Sequence, residues 1–112
     1  MLTRKTTFED LKARATALVP LLRSRASETE SLRRIPDDII QKLRDAELYR
    51  VLQPASQGGL ELGFLAHVRL TSEIARGCGS TGWVFGNTNG HQWVAGLFPP
   101  EAQREVWAGG QA

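Results

Sequence analysis

One cysteine, one methionine and one tyrosine in 112 residues leave little room for several kinds of protein. Cys78 has no partner for an internal disulfide, so a stapled secreted scaffold is excluded and a reducing, cytoplasmic setting is expected. Two histidines and one cysteine do not make a spaced ligand set, so no metal is expected. No run of about eighteen apolar residues occurs, so no membrane span is expected. The opening MLTRKTTFED lacks the apolar centre of a secretory leader. Charge of one sign is scarce too: the net charge is +2, and the first fifty residues hold eleven basic and eight acidic side chains. That mixture describes solvated helix faces and gives no stripe for nucleic acid.

What is present suits one soluble domain, with 41% hydrophobic and 23% charged residues. Phe8, Leu11, Ala15, Leu18 and Leu22 recur at spacings of three and four, which predicts a helix over about 7–32. Thr6 and Glu9 have the form of a capping box, and Pro20 either kinks this helix or starts a second segment. Ile35-Pro36-Asp37-Asp38 restarts a helix that ends near Glu47, with Ile39, Ile40, Leu43 and Ala46 inward. The stretch 48–54 is expected to be extended or turning, and 55–63 to be a loop. A third helix over about 63–76 would bury Leu65, Val68, Thr71, Ile74 and Ala75. Gly77 would close it with a left-handed cap. Ser80 or Thr81 would cap a fourth helix reaching Phe98, and Pro99-Pro100-Glu101 opens a last one to about Trp107. Nothing alternates with period two. The expected fold is therefore all-α, with about five helices. The closing AGGQA reads as a linker into another domain, or as a frayed end.

The segment 77–93, GCGSTGWVFGNTNGHQW, concentrates five glycines, two tryptophans and a histidine. Residues 77–82 match G-x-G-x-x-G, but the dinucleotide fingerprint needs a strand before it, and helical periodicity precedes it here. A helix–turn–helix joint is the expected structure. Gly82, Gly86 and Gly90 each cost about 1 kcal/mol relative to alanine in a helix. The offsetting gain would be close approach of another helix or of a flat ligand. On a helical wheel Trp83, Asn87 and His91 share one side with Gly86, Gly90, Val94 and Leu97, while Thr81, Thr88 and Gln92 fall opposite. That side combines an indole, an amide, glycine gaps and an imidazole, a wall for a planar substrate or cofactor. His91 is the residue there of the type that changes charge near neutral pH. His67 is expected to be structural or exposed, Cys78 a small packing residue, and Trp93 and Trp107 core or interface aromatics.

The segments ETESLRRIPDDIIQKLRDAELYRVLQP, GGLEL, SEIARGCGSTGWV and HQWVAGLFPPEAQREVW stand in an order that resembles the N-terminal helical domain of the acyl-CoA dehydrogenase superfamily. Within it the chain is most similar to two-component flavin-dependent monooxygenases, of the p-hydroxyphenylacetate hydroxylase and secosteroid phenol hydroxylase oxygenase type. The resemblance runs from about Leu18 to Trp107. It implies a helical domain over 1–108, with 109–112 starting a linker to a β-barrel domain, then a four-helix bundle and a homotetramer. It implies reduced flavin (FMN or FAD) from a separate reductase, O2, an aromatic and often phenolic substrate, and neither nucleic acid nor membrane as partner. By resemblance His91 is catalytic, helping to deprotonate the phenol or hydrogen-bonding the peroxide. Trp83 lies beside the flavin, and Asn87 is the candidate substrate contact. Glu47 replaces the usual glycine after the second helix, and Gln57 the usual aromatic before the paired glycines. GNTNG (86–90) is more polar than the usual run, which would suit a wider pocket. Two alternatives remain at this level: an acyl-CoA dehydrogenase, and a helical interaction module without catalysis.

Overall fold

The computed structural model describes residues 5–111. Among them lie six α-helices, two short 3-10 turns and no strand: α1 (Phe8–Ser24), α2 (Ala26–Leu32), α3 (Asp37–Asp45), α4 (Phe64–Gly77), α5 (Gly79–Ala95) and α6 (Pro100–Val106). The all-α expectation holds. Residues 1–4 and Ala112, at the ends of the two expected spans 1–108 and 109–112, lie outside the described residues.

The first helix starts one residue later than its sequence signal. Thr7, not Thr6, is the N-cap: its hydroxyl accepts from the Asp10 N–H at 3.2 Å, and its own N–H donates to Asp10 Oδ2 at 2.9 Å. Thr6 instead donates to Glu47 Oε2 at 3.2 Å, across to the end of α3. The chain passes through Pro20 in helical form. Pro20 is exposed, so the hydrogen bond lost with its missing N–H falls on the solvent side of the helix. The break comes at Arg25 (φ −109°, ψ 8°), dividing the expected single helix into α1 and α2. Arg25 has a reason to leave helical geometry. Its guanidinium donates to Glu28 at 2.9 and 3.0 Å and to Asp38 at 2.5 and 3.1 Å, joining α2 to α3. These hydrogen bonds hold the Glu28 and Asp38 carboxyls below the ordinary range.

Glu47 turns the chain out of α3 with φ 64°, a left-handed conformation that favours glycine. The 3-10 turns Leu48–Arg50 and Ala55–Gln57 follow. Residues 50–62 fold back on themselves: Leu60 N–H donates to Arg50 O, Leu62 N–H to Val51 O and Glu61 N–H to Gln53 O. Gln53, fully buried, donates to Gln57 O at 2.7 Å.

α4 lies between α1 and α5. Its inward face is Ala66, His67, Leu70, Glu73, Ile74 and Gly77. The predicted face was therefore rotated: Ile74 is correct, but Leu65 is 64% and Val68 47% exposed. A helix packed on two sides needs small residues where neighbours come close, and a hydrophobic stripe alone does not mark those positions. Gly77 shows this. It is helical, not a left-handed cap, and a Cβ there would sit 2.7 Å from Leu22 Cβ and 2.9 Å from Val19 O on α1. Cys78, extended (φ −158°, ψ 118°) and buried, both ends α4 and caps α5, with no side-chain cap bond from Ser80 or Thr81. The core is Leu11, Ala15, Leu22, Ile39, Leu43, Leu48, Val51, Leu70, Ile74 and Phe85.

Candidate functional site

α5 carries the candidate residues, and its inward face fixes where they point. Thr81, Gly82, Phe85, Asn89, Gln92 and Ala95 are buried. Trp83, Asn87 and His91 accordingly stand on the outside of one helix face, as the wheel predicts, with Thr88 half-buried on the other side. Two of the three glycine notches are filled by α4. A Cβ on Gly82 would lie 2.6 Å from Ala75 Cβ, and one on Gly86 2.7 Å from Thr71 Cγ2. Those glycines serve helix approach. Gly90 is different, since nothing lies within 4 Å of the position a Cβ would take. Gly90→Ala is therefore expected to stabilise the fold by up to about 1 kcal/mol, because helix propensity rises with no clash. Urea unfolding followed by circular dichroism measures it.

Asn87 and His91 form a ridge between two open depressions. One, of about 440 Å³, is lined also by Thr88, Gln92, Ala95 and Val106. The other, of about 270 Å³, is lined also by Phe64, His67, Gly86, Gly90 and Val94. Trp83, 70% exposed, shares the face but lines neither. It stands eight residues from His91, about 12 Å along the axis. His91 Nδ1 donates to the Asn87 backbone carbonyl at 2.7 Å. A carbonyl only accepts, so Nδ1 carries a proton, and the tautomer this selects has its lone pair on Nε2, facing away from the helix backbone. The ridge is thus an outward-facing hydrogen-bond acceptor beside an amide.

Behind the ridge lies a polar network that sequence reasoning missed. Trp107 Nε1 donates to Gln92 Oε1 at 3.0 Å, and Gln92 Nε2 donates to Tyr49 O at 3.0 Å and Asn89 Oδ1 at 2.9 Å. Gln92 and Asn89 are buried, so this network seats α5 on α6 and on the 48–50 turn. It also takes one residue out of the GNTNG pocket lining: Asn89 faces the core, while Gly86, Asn87, Thr88 and Gly90 line the depressions. Trp107 is the expected core aromatic. Trp93 is 47% exposed and meets the Phe64 ring edge-on at 5.8 Å.

His67 is 7% exposed, buried against Phe64 at a ring distance of 5.1 Å. Burial pushes its imidazole below the ordinary histidine value, so the folded ring stays neutral. The unfolded chain takes up this proton as pH falls through about 6.5 and the folded one only at lower pH, so stability rises with pH across that window. Stability is expected to fall from pH 7 to pH 5, and His67→Gln to flatten that slope in urea titrations. Loss of the Arg25-held carboxylates belongs to lower pH. Among the described residues no group of three or more His, Cys, Asp or Glu side chains is placed to hold a metal, and no helix is long and apolar enough to cross a membrane.

The helices on either side of the glycine-rich joint are those of a known class of domain. The chain belongs to the family of the acyl-CoA dehydrogenase N-terminal domain, whose model matches residues 12–112. Within that class it is similar to flavin-dependent hydroxylases. It is 45% identical over 94 residues to the oxygenase subunit HsaA of a flavin-dependent monooxygenase from Rhodococcus jostii strain RHA1, covering 84% of this chain and 25% of that protein. It is 38% identical over 97 residues to the oxygenase component of an FADH(2)-dependent resorcinol hydroxylase from a Rhizobium species, covering 87% and 24%. The crystal structure of the HsaA monooxygenase from Mycobacterium tuberculosis superposes with a TM-score of 0.88 at 38% identity, over 92% of this chain and 27% of that one. The chain therefore spans about a quarter of the length of these relatives.

Proposed function

We propose that this chain is the N-terminal helical part of the oxygenase component of a flavin-dependent monooxygenase that hydroxylates an aromatic, phenolic substrate. The observation that carries the reading is the outward His91, with a free Nε2 beside Asn87, in a chain similar to oxygenase subunits. His91 Nε2 accepts the proton or hydrogen bond of the substrate hydroxyl, and Asn87 orients the ring on the ridge. The open shelf over Gly90 and the exposed Trp83 indole provide flat surface for a planar ring system. When bound, reduced flavin together with O2 supplies the oxygen atom and the electrons. No lysine or arginine lines either depression beside the ridge, so the cations for a flavin phosphate come from other parts of the protein. In this reading residues 109–112 begin a linker to them. Gln111 is tied to the helical part: its Oε1 accepts from Tyr49 N–H at 3.2 Å and its Nε2 donates to Arg44 O at 2.9 Å. A separate reductase, cytoplasmic location and a homotetramer complete the reading.

The test supplies the full-length protein with chemically reduced FAD or FMN, O2 and a panel of phenols, and looks by mass spectrometry for gain of one oxygen atom. FAD comes first, because one relative is named for its reduced form. Absence of hydroxylated product, with desaturation of an acyl thioester instead, overturns the reading. The 112-residue segment alone has one wall of the site and is expected to bind reduced flavin only weakly; sub-micromolar affinity in a fluorescence titration contradicts this.

A further inference from the structure

The depression on the α4 side of the ridge holds an imidazole that the reading above does not use. His67 and His91 line it together, with Phe64, Gly90 and Val94 as its apolar surface. His67 is 7% exposed, and its Nδ1 is buried without a hydrogen-bond partner. A buried polar atom left unpaired costs about 1–3 kcal/mol, so a polar group retained in that state calls for an explanation. Packing does not provide one, because a leucine would fill much of the same space with no orphaned nitrogen. The shelf beside it is free, since nothing stands within 4 Å of a Gly90 Cβ.

We propose that His67 is a specificity-determining residue, whose imidazole hydrogen-bonds a second, uncharged hydroxyl of a planar aromatic ligand while His91 engages the first. The ring of the ligand lies over Gly90, with the Phe64 edge at its side. Burial disfavours the charged imidazole, so His67 presents a hydrogen-bonding ring edge to the depression and no positive charge. The site therefore favours a dihydroxylated ring over a ring carrying a carboxylate at the second position. The choice of aromatic hydroxyl compounds rests on the oxygenase reading, but the binding it predicts is separable from turnover.

The experiment measures equilibrium binding of phenol, 1,3-dihydroxybenzene and 3-hydroxybenzoate to the full-length protein, using tryptophan fluorescence and histidine side-chain NMR. Wild type is expected to bind 1,3-dihydroxybenzene about tenfold more tightly than phenol, the size of one uncharged hydrogen bond. It should show no such gain for the benzoate. His67→Leu removes the preference and leaves phenol affinity unchanged, and His67→Gln restores part of it through its amide. His67→Leu also removes the orphaned nitrogen, so its thermal midpoint should not fall, which separates recognition from folding. Equal preference in wild type and His67→Leu, or no preference in wild type, overturns the inference. A His67-dependent preference in a protein that hydroxylates none of these compounds upholds it and counts against the oxygenase reading instead.

Discussion

Gly82→Ala is expected to destabilise the fold by up to about 2 kcal/mol net, although alanine is the better helix former. The helix-propensity gain is up to about 1 kcal/mol. Against it, the new methyl would lie 2.6 Å from Ala75 Cβ and 2.7 Å from Ala75 Cα. Backbone cannot rotate aside as a side-chain tip can. α4 must withdraw from α5, and Leu70, Ile74 and Phe85 lose their close packing. Overpacking of this kind costs about 1–3 kcal/mol and sometimes more. In a domain of this size each kcal/mol lowers the melting temperature by about 4–8 °C. Gly86→Ala should cost less, since its nearest obstacle is the Thr71 methyl. With the gain expected at Gly90, the three alanine variants should rank in reverse order of crowding. Thermal unfolding by circular dichroism gives the ranking. A Gly82→Ala protein as stable as the Gly90→Ala protein would refute the helix approach described for α4 and α5.

The second large effect is on catalysis. His91→Ala in the full-length protein is expected to lower hydroxylation by about 10²-fold or more, the lower range for losing a positioned proton acceptor. Stability should change by less than about 0.5 kcal/mol, since the side chain is exposed and bonds only to a carbonyl of its own helix. Product formed per reduced flavin consumed is the measurement, with the melting temperature as control. Unaltered product yield removes His91 from the chemistry. Asn87→Ala should act mainly on substrate KM, because Asn87 orients and His91 moves the proton.

Much of this molecule was legible in advance because it depends on local signals. Pro36 followed by Asp37 and Asp38 opened α3, and Pro99-Pro100-Glu101 opened α6, since a proline without N–H and acids near a helix start are favourable wherever they occur. The orientation of Trp83, Asn87 and His91 on one face followed from about 100 degrees per residue. The cap at Thr7 was misplaced because Thr6-x-x-Glu9 and Thr7-x-x-Asp10 are equally good local patterns. The choice fell to Thr6, which Glu47 draws away at a separation of 41 residues.

The helical class, the glycine-rich joint and the face that presents His91 are written in the order of the residues, because periodicity and capping act within one or two turns. Packing settled which glycines α4 occupies, that the chain breaks at Arg25, which holds Glu28 and Asp38, and that Gln92 points inward to Asn89, Tyr49 and Trp107. Those outcomes depend on groups that other elements bring up against these residues. A buried amide or a glycine gap acquires its role from the group that fills the space opposite it, and no local pattern names that group.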